Sequence, residues 1–449
     1  MTRSSKSVPA AVKNTFKKRK SPDTESELER RPSPIDRQLG LIYRTPAASR
    51  ASSVASGSSA SSGPPLSSID VYNGVIDDQD GYVFARAVNV HKHMIGSDIA
   101  QIIVNPLPAD MIRTAKRSKV NQAEILIRAE YTRRLESVPG RRIYLVNIID
   151  RTTPSLRFRY IPDYVLREGV YKADLDTQVG CKQCSPHMGR DIGCEYTKRC
   201  DCLEYAAVDE SRLDDEQKKK FQIAKQTGGS TIGLSKKFPY FASSDKIGCL
   251  VPFYLHSRRP IYECNDNCQC GPHCRNKNVQ FGRRVELEIF KTASGRGWGL
   301  RCKQDLQEGQ FIDTYRGEVV TDAEATRREQ ASQSKSKASY MYSLDKFAES
   351  EGLSESDVYV VDGEFMGGPT KFMNHSCEPN CRQYTVSYNK HDCRVYDLAF
   401  FACQYIPVGT ELTFDYLDKE EGGDEVLEPN EDAVPCLCGA AKCRKWLWI

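Results

Sequence analysis

The chain runs to 449 residues, 28% of them charged and 39% hydrophobic, with a formal net charge of +4. That length supplies material for two or three domains with real cores, and a charge so close to balance excludes a polycation that coats nucleic acid through bulk electrostatics. No apolar run approaches the roughly 18 residues of a membrane span and the N-terminus has no hydrophobic signal core. A soluble intracellular protein without membrane association is therefore expected, its 18 cysteines reduced unless they hold metal.

Residues 1–68 are rich in Ser, Pro, Ala and Arg, and 51–68 hold almost no large apolar side chain. Such a segment cannot bury enough surface to offset chain entropy and is expected to be a disordered arm. Its cluster Lys17, Lys18, Arg19 and Lys20, followed by Ser21 and Pro22, fits nuclear import, although solvated tails carry such clusters by chance. From 69 to 179 the composition turns globular and reads as an N-terminal α/β region, with strand-like runs at 81–90 and 142–149 and a helical pattern between 109 and 138. That helix carries Arg113, Lys116, Arg117, Lys119, Arg128, Arg133 and Arg134. A solvated basic face is the plainer reading, and weak nucleic-acid or nucleosome contact is the alternative. His91 and His93 have no cysteine nearby in sequence and read as surface or core residues, not ligands.

Nine cysteines follow in two clusters, Cys181, Cys184, Cys194, Cys200 and Cys202, then Cys264, Cys268, Cys270 and Cys274. Three tetrahedral zinc ions take four bonds each, and nine thiolates meet that demand if six bind one metal and three bridge two. The odd number, the missing secretory signal and the spacings C-x2-C, C-x-C and C-x3-C-x-C-x3-C argue against the competing disulfide framework. Residues 180–276 thus read as a three-zinc module interrupted by an insertion, 203–263, with a charged helical stretch at 209–225 and a turn at Gly228-Gly229-Ser230. A long insertion adds little closure entropy once its ends are fixed. Cys249, outside the tight spacing, is expected to be a free thiol.

From 277 to 418 the pattern predicts short strands at 285–290, 299–302, 311–315, 340–344, 358–361, 398–402 and 411–414. A capping box formed by Thr321 and Glu324 opens one helix that runs to about Gln330, and a Ser/Lys-rich mobile loop around Lys335 follows it. Three motifs sit on this frame. Gly295-Arg296-Gly297-Trp298-Gly299 is a glycine-rich turn that lets backbone approach a ligand beneath an aromatic ring. Lys371-Phe372-Met373-Asn374-His375-Ser376-Cys377 places Asn374 and His375 among apolar neighbours, where burial is costly unless they are hydrogen-bonded. Glu411-Leu412-Thr413-Phe414-Asp415-Tyr416 precedes a tail, 419–449, with Cys436, Cys438 and Cys443. Three cysteines are one short of a tetrahedral site; Cys377 is the natural fourth ligand and Cys381 its rival. Cys302, Cys393 and Cys403 lie in apolar runs read as core strands.

In their order along the chain, the nine-cysteine module, the GWG turn, the NHSC segment, the ELTFDY segment and the C-x-C-x4-C tail resemble the pre-SET, SET and post-SET regions of the SET-domain lysine methyltransferases of the suppressor-of-variegation class. The likeness covers roughly 180–449. The earlier residues resemble fungal members without an obvious chromodomain, since all three tryptophans, Trp298, Trp446 and Trp448, are C-terminal. The resemblance implies an α+β protein: a β-rich SET fold of small sheets with a pseudoknot, flanked by the three-zinc pre-SET module and a post-SET tail holding a fourth zinc. It implies methyl transfer from S-adenosylmethionine to lysine 9 of histone H3, in heterochromatin formation and gene silencing in the nucleus. The histone H3 tail or nucleosome would be the partner, heterochromatin adaptor proteins possible further ones, and the chain a monomer.

On the same resemblance, Arg296, Gly297, Trp298, Asn374, His375 and Trp448 match the cofactor site, with Phe365 and Lys371 where relatives commonly carry Tyr and Arg. Lys is no equivalent of an Arg that forks onto a carboxylate. Tyr416 matches the catalytic tyrosine and Tyr340 its partner at the lysine channel. Phe414 matches the position that sets product multiplicity, and Phe there implies di- and trimethylation. Without the surrounding motifs, Tyr416 and Tyr340 would read as ordinary amphipathic strand residues. Peptide discrimination is expected around 335–345 and 357–366, where acidic side chains could meet a basic tail. Two alternatives remain at this stage: a methyltransferase for a non-histone lysine, and a catalytically inactive SET-type chromatin scaffold.

Overall fold

In the computed structural model, residues 78–79, 82–84, 117–150, 152–156, 158–188, 193–194, 201–242, 245–331, 340–388, 391–417 and 433–448 are described. The 1–68 arm with its lysine cluster, His91, His93, Arg113, Lys116, Cys200 and the loop around Lys335 lie outside them. Strands β1 (Asp78–Gln79), β2 (Tyr82–Phe84) and β3 (Arg117–Lys119) form an antiparallel sheet that leads into helix α1 (Val120–Glu136). The helix therefore begins some ten residues later than the periodicity suggested. Ile127, Tyr131 and Leu135, four residues apart, are all buried and seat one face of α1 on the main core.

The 69–179 region is not self-contained. Its strands β4 (Ile143–Val146), β5 (Arg159–Tyr160) and β6 (Val165–Leu166) pair in parallel with β8 (Leu287–Lys291), β14 (Met366–Gly367) and β11 (Glu318–Val320) of the C-terminal half. Parallel partners so distant in sequence cannot be read from periodicity, which reports only local alternation. Inside the insertion, α2 (Asp215–Thr227) is capped by Asp214 and Gln217 in a reciprocal box and stopped by Gly228 at φ 67°. The short helix α3 (Pro252–Ser257), with Pro at its start, and β7 (Ile261–Glu263) carry the chain back to the second cysteine cluster.

The C-terminal half is a set of small sheets. Strands β4, β8 and β9 (Trp298–Cys302) make one sheet. A second has the order β10 (Phe311–Tyr315), β17 (Asp397–Ala402), β16 (Cys381–Tyr388) and β7. A third runs β12 (Met341–Ser343), β13 (Val360–Asp362), β11 and β6. The Thr321 hydroxyl accepts from the Glu324 N–H at 3.3 Å and opens α4 (Asp322–Ala331), as the capping box predicts. A buried network from Arg328 of α4 to Glu318 (3.1 Å) and Asp362 (2.7 Å) locks that helix to β11 and β13, and Arg167 joins Glu318 from outside.

The longest of these strands, β16, has no counterpart in the sequence expectation. Its buried Gln383, Thr385 and Ser387 alternate with Tyr384 and Val386, so both faces are covered although one is polar. Cys393 also departs from expectation: it sits half-buried in a turn before β17, not in a strand, while Cys302 ends β9 and Cys403 directly follows β17. Cys249 is buried and free, its thiol pushed up by burial. Among the described residues no helix is long and apolar enough to cross a membrane.

Candidate active site and metal centres

Strand β15 (Asn374–His375) pairs in parallel with β18 (Thr413–Phe414), so the NHSC and ELTFDY segments lie side by side although about forty residues separate them. Just beyond this junction the Tyr416 ring packs on Phe414, centroids 4.8 Å apart, and its hydroxyl donates to the Met373 carbonyl at 2.8 Å. Phe414 continues to Phe400 at 4.8 Å and to Tyr342 at 6.3 Å, and Tyr342 continues to Tyr315 at 4.5 Å. Tyr340 joins this wall through its carbonyl, which accepts from the Tyr315 hydroxyl at 2.7 Å and from the Gly363 N–H at 3.0 Å. Burial, reinforced by the neighbouring Tyr340, holds the Tyr416 phenol above its ordinary value, so it stays neutral across the physiological range.

The glycine-rich turn meets the same junction through Glu411. Its carboxylate takes the Arg296 guanidinium at 2.5 Å and the Asn374 amide at 2.8 Å, and Asn374 also donates to the Trp298 carbonyl at 3.1 Å. Gly299 permits this approach, because a Cβ there would stand 2.9 Å from Glu411 Oε1 and 2.8 Å from the Phe290 ring. The Gly297 carbonyl accepts from the Thr292 N–H at 2.9 Å, closing the turn. Arg296, Gly297, Trp298 and Asn374 are thus gathered in one place. Phe365 instead packs with Ile161 and Met366, and the Lys371 ammonium donates to the carbonyls of Gly363 (3.2 Å) and Glu364. The buried His375 accepts from the Tyr416 N–H at 3.1 Å through Nδ1 and lies 3.3 Å from Cys377 Sγ through Nε2. Trp448 ends strand β20 (Trp446–Trp448), paired with β19 (Val434–Pro435).

The cysteines assemble as their spacing predicts. Sulfur atoms of Cys184, Cys194, Cys202 and Cys270 lie within 4.8 Å of one another, as do those of Cys194, Cys264, Cys270 and Cys274, and those of Cys202, Cys264 and Cys268. Every pair of these groups shares at least one cysteine, the pattern that bridging thiolates require. Cys181 adjoins them, its N–H donating to Cys268 Sγ at 3.4 Å. No disulfide bond joins any of the described cysteines. The fourth group joins Cys377 to Cys436, Cys438 and Cys443. Cys381, the rival, is absent from that group and turns its thiol to Asn380 within β16. Backbone N–H groups aim at sulfur here too, Ala440 at Cys438, Arg444 at Cys377 and Lys445 at Cys443, all between 3.3 and 3.5 Å. Dense all-sulfur donor sets with N–H donors around them fit zinc, and leave no ligand position for catalysis.

Sequence reasoning gave no role to Glu411, Asp415 or Arg444. Arg444 forks onto Asp415 at 2.6 and 2.7 Å, fastening the cysteine tail to the residue before Tyr416. The available signal was modest: acidic residues inside an apolar strand motif, and a cation directly after the last cysteine.

The pre-SET motif family matches residues 135–277 and the SET domain family residues 297–417. The chain is 37% identical over 313 residues to the histone-lysine N-methyltransferase, H3 lysine-9 specific, dim-5 of Neurospora crassa, covering 68% of this chain and 88% of that one. It belongs to the pre-SET and SET histone-lysine N-methyltransferases. To the H3 lysine-9 specific KMT1 of Fusarium mangiferae the methyltransferase is 38% identical over 301 residues, 65% of its length and 83% of the relative's. A solved structure of the Neurospora SET domain protein DIM-5, a histone lysine methyltransferase, superposes with a TM-score of 0.50 at 34% identity, over 65% of this chain and all of that one. A second, from work on the product specificity of histone lysine methyltransferases, gives 0.54 at 35% identity, over 68% and 99%.

Proposed function

We propose that this methyltransferase transfers methyl groups from S-adenosylmethionine to lysine 9 of histone H3, in nuclear chromatin, with di- and trimethyl-lysine as products and gene silencing as the outcome. The observation that carries the reading is the junction at β15 and β18, where the Arg296, Trp298 and Asn374 cluster meets the Tyr416, Phe414 and Tyr340 wall. The donor set suits the cofactor. Trp298 offers a half-buried aromatic face, Arg296 a cation for a carboxylate, and Glu411 and nearby carbonyls offer negative charge for an ammonium or sulfonium. The cofactor supplies an activated methyl group on sulfur, and the chain's own residues orient and desolvate the acceptor amine.

In this reading the phenol oxygens of Tyr416 and Tyr340 accept from the N–H groups of the amine, which leaves its lone pair free and directed along the methyl axis; the Tyr416 hydroxyl proton is already given to the Met373 carbonyl. Phe414, only 4% exposed and without a hydroxyl, leaves room for a methylated amine to turn. Three zinc ions would fill the pre-SET groups, with Cys181 and Cys200 completing the nine ligands, and a fourth would fill the tail site. Phe365, His375 and Trp448 complete the proposed cofactor surroundings directly or by supporting it.

The deciding experiment is mass spectrometry of a histone H3 tail peptide incubated with the protein and S-adenosylmethionine, beside a lysine 9-replaced peptide and a Tyr416→Phe enzyme. Methylation confined to lysine 9 and lost in the variant is expected. Methylation elsewhere, or none from zinc-loaded protein that binds cofactor, would overturn it. Because burial keeps Tyr416 neutral, a rate that rises between pH 7 and 10 belongs to deprotonation of the substrate amine, whose free value is about 10.4. A single-turnover profile checks this, and a flat one with chemistry limiting contradicts it.

A further inference from the structure

Lys371 is the residue whose surroundings fit its expected role least. An ammonium is a compact charge with three donors. Here it donates to the Gly363 and Glu364 carbonyls and lies 3.8 Å from the centroid of the Tyr340 ring and 4.7 Å from that of Phe158. These partners line the wall that carries Tyr340. The turn that supplies both carbonyls also grips the Tyr340 backbone, since the Gly363 N–H donates to the Tyr340 carbonyl at 3.0 Å. That turn is itself pressed on Tyr315: a Cβ at Gly363 would stand 2.3 Å from the Tyr315 hydroxyl, which donates to the same Tyr340 carbonyl.

We propose that Lys371 is a positioning residue for methyl transfer, its ammonium bridging the face of the Tyr340 ring to the carbonyls of the 363–364 turn, and not a ligand of the cofactor. This rests on the reading that Tyr340 lines the lysine channel. The cation over the ring face restrains the side-chain torsions of the phenol, because the charge is itself anchored to two carbonyls. Lys371 lies in the one-turn helix Pro369–Phe372 that runs into Asn374, so the clamp also ties the channel wall to the strand of the cofactor cluster. A displacement of about 1 Å at reacting groups can lower a rate roughly a hundredfold, which gives a fixed Tyr340 kinetic weight.

The test compares Lys371→Met, which keeps the volume and loses charge and donors, with Lys371→Arg, which keeps both. Steady-state kinetics on an H3 tail peptide would be combined with calorimetric binding of S-adenosylhomocysteine. For Lys371→Met we expect kcat to fall about 10- to 100-fold, with KM for S-adenosylmethionine and Kd for the product within about threefold, and Lys371→Arg to recover most of kcat. A tenfold rise in cofactor KM at unchanged kcat would make Lys371 a cofactor ligand and overturn the proposal, as would unchanged kinetics. A second reading needs no turnover: with carbon-13 lysine labelling, the Lys371 Hε resonances should lie upfield from the Tyr340 ring current and return in Tyr340→Leu. Absence of that shift removes the clamp, whereas a shift present in protein that methylates no histone peptide leaves the clamp and removes the methyltransferase reading of the channel.

Discussion

The two cysteine sites use the same donor atoms in opposite settings. The pre-SET cluster is buried throughout its described members, with Cys194, Cys202 and Cys264 essentially inaccessible, and it forms its own core with Leu203, Ala206 and Phe238. The tail cysteines are each only half-buried, and their segment meets the SET region at Cys377 and Asp415 through Arg444, at Glu378 through the Lys442 N–H, and at the main core through Leu447. A buried cluster that replaces a hydrophobic core must govern folding, because its ligands have no other means of satisfying their burial. A half-exposed site beside Tyr416 can be lost without unfolding the rest, so its influence falls on activity.

The sharpest break of this contrast is a pair of serine substitutions. Cys264→Ser removes a shared ligand from the buried cluster and should exceed the roughly 5–15 kcal/mol that holds a domain together, giving aggregated or unfolded protein by circular dichroism. Cys438→Ser should leave the melting temperature within a few degrees and three zinc ions bound by elemental analysis, while peptide methylation falls about a hundredfold or more. Equal effects on folding from both variants would erase the distinction.

Arg444→Ala asks whether the tail acts through its metal or through its ion pair. Removing the fork onto Asp415 should cost about 1–3 kcal/mol in docking the tail and lower kcat about tenfold with zinc content unchanged. Retained kcat would leave the metal alone responsible. Glu411→Gln is the counterpart on the sheet side: Arg296 and Asn374 lose their shared anion, and KM for S-adenosylmethionine should rise several-fold, by about 1 kcal/mol of binding, with the tail untouched. Phe414→Tyr, in the aromatic wall with Phe400 and Tyr416, should change turnover least and product most. Monomethyl-lysine is expected to accumulate by mass spectrometry, and an unaltered product ratio would count against Phe414 as the gauge of that channel.

Much of this arrangement was legible in the residues because metal ligation and motif chemistry are local. Cys184, Cys194, Cys202, Cys264, Cys268, Cys270 and Cys274 assemble as their spacing implied, and Cys377 joins the tail where Cys381 does not, since Cys381 is fully buried at the start of β16, opposite Ala402. The capping box at Thr321, the strand at Phe311–Tyr315 and the neighbourhood of Tyr416 and Phe414 follow from short patterns. Strand β16 was not legible, because its polar side chains are buried by tertiary partners and not by any property of the segment.

By itself, then, the sequence brought out the cysteine groups that could hold metal and the family of motifs, both set by residue type at short spacing. Tertiary structure alone decided that 143–166 completes the C-terminal sheets, that Glu411 joins Arg296 to Asn374, and that Arg444 ties the tail to Asp415. Each of these depends on parallel pairings and charge contacts between segments far apart in the chain. No local pattern encodes such partners, because their energy exists only once the backbone has brought them within hydrogen-bonding distance.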